Sequence, residues 1–460
     1  MPTCKSPRAC PEGAWRARLL TTALLLSVVS VAGCTASSGA TAHATATAAG
    51  TAAPAGVISD CLLSPVSCYA PALFRVEYGI QPLLDRGLDG HGETVTDLAV
   101  APSPGAPAPG ATAAPPPGVT AASDIRQDLA AFDAMFRLPT ARIQVVTTLA
   151  GAGSPWQAAK EEVQDTGIVH TVAPAAALRV VLLPSNALGS AANATADMLA
   201  GLRLATSGTD VAVISFSLGE HYFTRAQVTQ LHSTLLRAAA HHVTVIAGSG
   251  DNGGYSDADF ADTAVKEVSL PASDPLVLAA GGTSFNGNLS AGFYISETAW
   301  NGQGGLVLTS GASGGGFSHL YARPAYQDGV GGISTDRGVP DVAGEADQKG
   351  GWAFVFGGGS KRWIMPASGS SAAASLWGGL VALADQDAHH DLGLVNPAIY
   401  RIARSSRYHQ AFHDITSGSN IVNIPYPAAG PAGYQAGPGW DPVTGWGSPD
   451  VQVLVPLLAA

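Results

Sequence analysis

The amino-acid sequence predicts an α/β fold with a doubly wound, mostly parallel sheet and helices on both faces. Two observations carry this prediction. Short runs rich in Val, Ile and Leu alternate with helical patterns, and the runs are continuously apolar, as in strands buried on both faces. Hydrophobic residues make up 46% and charged residues only 12% of the 460 residues, so a large core can form.

Six segments are predicted strands, and helical patterns separate several of them. The two clearest helical patterns are Ala191–Ser207 and Thr224–His241. In a parallel sheet, chemistry collects at the carboxyl ends of the strands, so polar residues that follow a strand are the first candidates for a site. The predicted strands are Thr94–Val100, Ile143–Ala150, Leu178–Pro184, Asp210–Ser217, Val243–Ala247 and Leu276–Ala280.

The first 60 residues have the composition of an export leader followed by a tether. Residues 1–34 begin with basic residues, continue with a short apolar run and end in small residues before Cys34. That ending is typical of a bacterial lipoprotein cleavage site, where Cys34 would carry a lipid anchor, whereas an ordinary cleaved signal is the alternative. Residues 35–60 are predicted to be a flexible Ala/Thr-rich tether. An extracellular or cell-envelope location follows.

Residues 61–460 are predicted to form one folded domain, interrupted by a Pro/Ala-rich insertion at residues 101–123. Cys61 and Cys68 pair in a short loop or remain two free thiols. The net charge of −11 excludes nucleic acid as a partner, because no basic stretch could neutralise phosphates. A monomer is expected.

Ser371 is the first candidate for chemistry. It follows a small-residue turn at residues 367–370 and precedes the apolar run of residues 372–384, a pattern that places it at the N-terminus of a buried helix. Backbone N–H groups and the helix dipole favour a developing negative charge there, which suits a nucleophile. The alternative is a simple N-cap serine.

A nucleophilic serine needs a base, and none of the twelve histidines lies in a small-residue setting. His91, in an apparent surface turn, is the nearest approach. Glu161 and Asp165 are better candidates because their i, i+4 spacing places both carboxyls on one helix face. Such a pair titrates over a wide range, so one carboxyl can abstract a proton while the other orients it. A solvated acidic face is the alternative.

Asp251 completes the candidate set. It follows an apolar strand inside a glycine-rich turn, residues 248–254. A buried, protonated carboxyl in that position can donate a hydrogen bond to an oxyanion. The alternative is a residue that only stabilises an Asx-turn.

The region of residues 410–450 contains a candidate site for a hard cation. Asp414 and Asp441 supply carboxylates, and the glycines at positions 437 and 439 free backbone carbonyls, so all donors are oxygens. No cluster of Cys or His supports zinc. A pair of ordinary turns is the alternative.

These segments together resemble the sedolisin family of serine-carboxyl peptidases, from about Tyr69 to Val455. Many short motifs occur in the family's order, which makes coincidence very improbable. Further matches are residues 78–80 (YGI), 172–174 (VAP), 214–220 (ISFSLGE), 248–251 (GSGD), 271–273 (PAS), 281–284 (GGTS), 300–301 (WN), 313–318 (SGGGFS), 324–327 (PAYQ), 337–342 (RGVPDV), 414–418 (DITSG) and 439–445 (GWDPVTG).

The resemblance implies a subtilisin-like fold and an endopeptidase that acts on polypeptides at acidic pH. Ser371 would be the nucleophile, Glu161 the base, Asp165 its orienter and Asp251 the oxyanion donor. The resemblance also implies a β-addition edge for the substrate and one Ca²⁺ ion. The edge comprises Ser313, Gly314, Gly315 and Gly316, and the calcium ligands are Asp414, Asp441 and the carbonyls of Ile415, Gly437 and Gly439.

Three features depart from the family pattern. The usual Gly-Thr-Ser is residues 369–371 (GSS), and Ser375 replaces the usual Pro four residues after the nucleophile. No N-terminal pro-domain is apparent before Tyr69. These departures motivate an alternative function, a non-proteolytic surface lipoprotein that binds peptides or envelope material on a protease-like scaffold. A subtilisin-type enzyme with a His base is a further alternative.

Overall fold

The computed structural model describes residues 57–58, 68–100, 123–147, 157–158, 160–183, 190–256, 265–286, 294–302, 311–358, 361–424 and 430–460. Eight strands of these segments form one central sheet. They are β1 (Thr94–Val100), β2 (Arg142–Thr147), β3 (Ala177–Leu183), β4 (Val211–Ile214), β5 (Thr244–Gly248), β6 (Leu278–Asn286), β7 (Ser296–Ala299) and β8 (Val342–Glu345).

The strand order is β7-β6-β5-β4-β1-β3-β2, and β8 also pairs with β6. Every pairing is parallel except that of β6 with β7. The first strand, β1, lies in the interior of the sheet. The next two strands, β2 and β3, lie on one side of it, and β4 to β8 lie on the other side. The order therefore reverses between β3 and β4 on either side of β1, and ligands bind at such a switch point, outside the carboxyl ends of the strands.

Helices cover both faces of the sheet. Val95 on β1 packs into one hydrophobic core cluster, whereas Leu98 on the same strand packs into the other. The long helix α7 lies in the first cluster, and its Trp377 indole donates a hydrogen bond to the carbonyl of Ala343 at 2.9 Å. The helices are α1 (Pro71–Glu77), α2 (Gln81–Leu84), α3 (Ile125–Phe136), α4 (Lys160–Val172), α5 (Ala191–Ala205), α6 (Arg225–Ala240), α7 (Ser370–Ala388), α8 (Asn396–Ala403), α9 (Tyr408–Ala411) and α10 (Val451–Leu458).

Short antiparallel pairs lie outside the central sheet. The longest joins Ala353–Gly358 to Lys361–Pro366, and another joins Gly316–Ala322 to Asp336–Val339. The remaining pairs have two or three residues in each strand. They join Val57–Ile58 to Cys68–Tyr69, Ser123–Asp124 to Gln157–Ala158, Leu218–Gly219 to Ser269–Leu270, Phe412–His413 to Ser448–Pro449, and Val422–Ile424 to Gly430–Ala432.

The structure confirms the predicted fold class, and all six predicted strands are present, Thr94–Val100 with the predicted ends and the other five with shifted ends. The predicted strand Asp210–Ser217, for example, is limited to Val211–Ile214, and the next residue, Ser215, directs its hydroxyl to Asp97 and Asp165. The periodicity did not reveal β7 or β8. Within the described residues, no helix is long and apolar enough to cross a membrane.

Several predictions fall outside the described residues. They concern the leader, Cys34 and its lipid anchor, nearly all of the tether, and the insertion up to residue 122. Cys68 is described and forms a disulfide, whereas Cys61 and the other cysteines lie outside the described residues. The two-free-thiol alternative is therefore wrong for Cys68.

Candidate active site

Ser371 lies in the first turn of α7, where the helix meets the end of strand β5. Ser371 is only 7% exposed to solvent. A Cβ at Gly248, the last residue of β5, would lie 2.6 Å from Ser370 Oγ and 3.0 Å from the nitrogen of Ser371. Only glycine permits this approach. The small residues at both ends of the contact thus place Ser371 at the carboxyl edge of the sheet, and it lies at the N-terminus of a buried helix, as its sequence pattern predicted.

Helix α4 carries Glu161 and Asp165 one turn apart. A hydrogen-bonding interaction with the Ser371 hydroxyl favours the ionised form of Glu161 and lowers its pKa, against larger opposing effects. Gln164 lies between the two acids in the sequence and contacts the segment that leads into α7. Its amide nitrogen is 2.9 Å from the carbonyl oxygen of Ser368 and 3.4 Å from Ser371 Oγ. The partners of Ser371 among the described residues are thus carboxyl and amide groups, with no imidazole.

Asp165 is linked to a further carboxyl that the sequence reasoning missed. Ser215 Oγ lies 2.5 Å from Asp165 Oδ2 and 2.8 Å from Asp97 Oδ1. Asp97 lies on β1 and Ser215 directly follows β4, so both flank the switch point of the sheet. Because a hydroxyl has only one proton to donate, both hydrogen bonds form only if one of the two carboxyls is protonated.

Asp251 reaches the start of α7 from the turn after β5. Its Oδ1 accepts hydrogen bonds from the backbone N–H and the hydroxyl of Ser370, both at 2.8 Å. Ser370 Oγ in turn accepts the N–H of Gly250 at 3.1 Å. A hydroxyl at position 370 therefore fixes Asp251, which explains why serine can stand where the resemblance leads one to expect threonine.

The space between Asp251 and Ser371 is kept open by Gly369. A Cβ at this glycine would lie 2.9 Å from Asp251 Oδ2 and 3.3 Å from Ser371 Oγ. Its φ of +101° is also one that other residues rarely adopt. A small polar atom, such as a substrate carbonyl oxygen, could occupy this position and contact both side chains.

The carboxyls of the site hold their protons more tightly than ordinary carboxyls do. Glu161 keeps part of its surface open to solvent, yet the surrounding protein, followed by the charges of Asp165 and Asp251, raises its pKa well above the usual value. Burial and the charge of Asp97 raise the pKa of Asp165, and burial raises that of Asp97. These groups titrate together, because ionisation of one disfavours ionisation of the next.

The candidate calcium residues converge on one loop. The N–H of Gly439 donates to both carboxylate oxygens of Asp414, at 3.1 and 3.2 Å, and the N–H of Gly437 donates to Asp441 Oδ2 at 3.0 Å. The charges of both carboxylates contribute to raising the pKa of Tyr408. Ile415, the fifth candidate, is buried. Two carboxylates on a glycine-rich loop fit an all-oxygen cation site.

The predicted substrate edge is only partly accessible. Ser313 is fully buried, and its hydroxyl donates to the carbonyl of Val443 at 2.7 Å. The N–H of Gly314 donates to Gly250, and its carbonyl accepts the hydroxyl of Ser249 at 2.6 Å. These hydrogen bonds of Ser313 and Gly314 hold the edge in place, and pairing of the two residues with a substrate stays a prediction.

Gly315 and Gly316 remain as candidates for substrate pairing. The N–H of Gly315 donates to Gly253 at 3.2 Å, but within the described segments no hydrogen bond reaches its carbonyl. Gly316 begins the strand that pairs with Asp336–Val339. Any pairing with an extended peptide would thus start at the Gly315 carbonyl.

Sequence reasoning missed Asp97, Ser215, Gln164 and Ser370 as members of the site. Asp97 lies inside an apolar strand pattern, in which a single acidic residue is interpreted as an interruption of the strand. The available signal was its burial: an acid in the middle of a strand covered on both faces is costly unless it has a polar partner.

No family model matched the chain, but individual proteins did. Kumamolisin from Bacillus sp. (strain MN-32) is 34% identical over 307 residues, which cover 64% of this chain and 50% of that protein. Sedolisin from Pseudomonas sp. (strain 101) is 36% identical over 221 residues, covering 47% of this chain and 35% of that protein. Human tripeptidyl-peptidase 1 is 29% identical over 270 residues, covering 54% and 43%. The chain spans half or less of the length of these relatives.

A solved structure of Pseudomonas sedolisin, described as a serine-carboxyl proteinase complexed with two molecules of pseudo-iodotyrostatin, superposes with a TM-score of 0.65. The match has 24% sequence identity and covers 85% of this chain and 98% of that one. It shows that the central sheet and its helices form a subtilisin-like α/β fold. Together with this fold, the sequence matches to kumamolisin and sedolisin support the sedolisin family for the chain.

Proposed function

We propose that this protein is an exported, acid-acting serine-carboxyl endopeptidase that hydrolyses polypeptides. One observation carries the proposal: the hydroxyl of Ser371 at the start of α7 interacts with the carboxyl of Glu161 and the amide of Gln164, and no histidine contacts it among the described residues. The relatives named kumamolisin, sedolisin and tripeptidyl-peptidase 1 support a peptidase function.

The roles of the side chains follow from their positions. Ser371 Oγ adds to the substrate carbonyl carbon, and its proton passes to Glu161, which Asp165 orients. The carbonyl oxygen becomes an oxyanion in the space beside Gly369, where Asp251 in its protonated form donates a hydrogen bond. When the C–N bond breaks, Glu161 returns the proton to the leaving amine, and water then hydrolyses the Ser371 ester by the same transfers in reverse order.

An acidic working range follows from the same set of groups. Glu161 must be ionised to accept the serine proton, whereas the oxyanion donor must be protonated. In a set of neighbouring carboxyls, one group is ionised while another is protonated only as long as the set as a whole retains part of its protons. Both conditions are therefore met only in that pH range. At high pH the last protons are lost, and at very low pH Glu161 itself is protonated, so the rate falls on both sides.

The direct test is digestion of casein at acidic pH by the wild-type chain and by Ser371→Ala. We expect cleavage by the wild type and none by the variant, with an unchanged melting temperature. Persistent cleavage by the variant would exclude Ser371 as the nucleophile. A wild type that binds but never cleaves peptides, with or without added Ca²⁺, would favour the peptide-binding lipoprotein instead.

We also propose that Asp414, Asp441 and the carbonyls of Ile415, Gly437 and Gly439 hold one Ca²⁺ ion that stabilises the fold. Asp441 is buried, and its carboxylate accepts hydrogen bonds from the N–H groups of Gly437, Val443 and Thr444, which fix it in the loop beside Asp414. A chelator is expected to lower the melting temperature of the wild type, because a ligand bound only by the native state stabilises it. Asp441→Asn is expected to remove most of this chelator effect, and a full effect in the variant would contradict the assignment.

A further inference from the structure

A second group of acids lies at the other edge of the central sheet, where the strands begin. Glu93 directly precedes β1, Asp210 directly precedes β4, and these two strands are neighbours in the sheet. Asp391 follows the C-terminal end of α7. One carboxylate oxygen from each of the three lies within 4.8 Å of the others. Each side chain is half-buried.

A fourth acid supplies the independent observation. Asp385, on the last turns of α7, is only 1% exposed. Its Oδ1 accepts the backbone N–H of Leu392 at 2.9 Å, but its Oδ2 has no hydrogen-bond partner. Burial, followed by the charges of Glu93, Asp391 and Asp210, raises the pKa of Asp385 to about 8. Asp385 is not one of the three carboxyls whose oxygens lie within 4.8 Å of one another. Its unpartnered oxygen belongs to a buried carboxyl that is held, through Leu392, beside Asp391.

Positive charge is missing around these acids. None of the four forms an ion pair with a Lys, Arg or His among the described residues. The backbone N–H of Thr94 donates a hydrogen bond to Oδ2 of Asp210 at 2.6 Å. Burial raises the pKa of Glu93 to about 7, with contributions from Asp210 and Asp391. Such a set needs protons or a bound cation as compensation.

The frame around the acids is held in place by other contacts. Gln386, next to Asp385, accepts the backbone N–H groups of Asp89 and Gly90 at 2.8 and 2.7 Å. The same side chain donates to the carbonyl of Gly87 at 3.0 Å. These bonds tie the segment before β1 to the end of α7. The carboxyls are thus brought together by backbone that is fixed independently of any ion.

We propose that Glu93, Asp210 and Asp391, beside the buried carboxyl of Asp385, bind a hard divalent cation, Ca²⁺ in preference to softer metals, in a structural site that clamps the C-terminal end of α7 to the sheet. Oxygen ligands alone, on segments of loop and strand end, suit Ca²⁺, which accepts variable geometry and several carboxylates. The site is separate from the loop of Asp414 and Asp441 and from the catalytic residues, and it does not require that the chain be a peptidase.

The binding test uses the full chain with Ser371→Ala, to prevent self-digestion, and Asp441→Asn, to remove the other proposed site. Calorimetric titration with Ca²⁺ near neutral pH should show one ion bound per chain. Adding Asp391→Asn should abolish this binding. Adding Asp387→Asn should not, because Asp387 lies on the same helix but outside the cluster. Absence of binding in the background chain, or equal binding with Asp391→Asn, would overturn the proposal.

A thermal measurement separates cation binding from a purely structural role of the acid. In chelator, Asp391→Asn should leave the melting temperature unchanged or raise it, because a repelling charge is removed. Saturating Ca²⁺ should raise the melting temperature of the background chain by a few degrees and that of Asp391→Asn much less. A variant that is destabilised in chelator, or that responds fully to Ca²⁺, would contradict the site.

Discussion

Helix α7 connects two acidic clusters that differ in what lies between their carboxyls. At its start, Ser215 and Gln164 bridge Asp97, Asp165 and the Ser371 segment. At its end, about 21 Å away by the rise of an α-helix, no hydroxyl or side-chain amide is seen to bridge Glu93, Asp210, Asp385 and Asp391 within the described residues. The difference indicates that acidic side chains have two different roles in this protein, one in the proposed catalysis and one in the proposed cation binding.

Hydroxyl and amide groups that bridge carboxyls allow the cluster to share protons. Where such groups are absent, the negative charge of the carboxylates needs a bound cation as compensation. In the catalytic cluster, each hydroxyl offers a path along which a proton can move or be held. In the other cluster, carboxylate oxygens face one another directly, and a cation can contact them all. Burial raises carboxyl pKa values in both places, so this shift alone does not distinguish a catalytic site from a metal site.

The largest expected effect concerns the base of the catalytic cluster. Glu161→Gln removes the proton acceptor of Ser371 and should lower kcat by about 10³-fold or more, within the range known for general-base catalysis. His91→Ala is the control, because His91 is exposed and is the histidine that a subtilisin-type mechanism would use. Loss of activity in His91→Ala with retention in Glu161→Gln would reverse the assignment.

A smaller effect is expected from Asp97, which acts on the base through Ser215 and Asp165. Asp97→Asn should reduce kcat roughly tenfold, about 1.4 kcal/mol in the barrier, with little change in KM. Because the charge of Asp97 raises the pKa of Asp165, the alkaline limb of the pH–rate profile should move to lower pH. A reduction in kcat without a shifted profile would indicate that Asp97 only supports the fold.

An effect of comparable size, on stability and not on activity, is expected at the opposite cluster. The folded state raises the pKa of Asp385 to about 8 from an ordinary value of 3.8. Its contribution to stability is therefore present below pH 3.8 and is lost as pH rises through 8. In chelator, Asp385→Asn should raise the free energy of unfolding at pH 8 by about 1–3 kcal/mol, the usual cost of an unsatisfied buried polar group.

Denaturant unfolding of Asp385→Asn and the wild type at pH 4 and pH 8 provides the measurement. At pH 4 the two proteins should be similar, because the wild-type carboxyl is then largely protonated. In saturating Ca²⁺ the order at pH 8 should reverse. A variant that is less stable than the wild type in chelator at both pH values would show that the Asp385 carboxylate is already satisfied by the fold.

The sequence predicted the fold and the first contacts of the site better than the supporting network. Apolar strands have a strong pattern, and Ser371 and Asp251 follow elements whose ends are marked by glycine. Asp97 and Asp385 lie inside a strand and a helix, where the pattern treats an acid as an exception. The role of each acid depends on which strands and helices become its neighbours. Tertiary packing determines those neighbours, and a local sequence pattern does not predict it.

The predicted substrate edge shows the same limit. Ser313 and Gly314 belong to a motif that the resemblance assigned as a whole, yet their hydrogen bonds point into the protein. Whether a backbone carbonyl is free depends on the segment that packs beside it. For Gly315 that information came only from the folded structure.

The central claim is that a partly protonated set of carboxyls serves Ser371, and the pH dependence of peptide hydrolysis tests it most directly. Rates of cleavage of one peptide should be measured with the wild-type chain from strongly acidic to alkaline pH, at constant ionic strength and saturating Ca²⁺. The rate is expected to peak at acidic pH and to fall on both sides. A rate that rises through neutrality to an alkaline plateau would contradict the account.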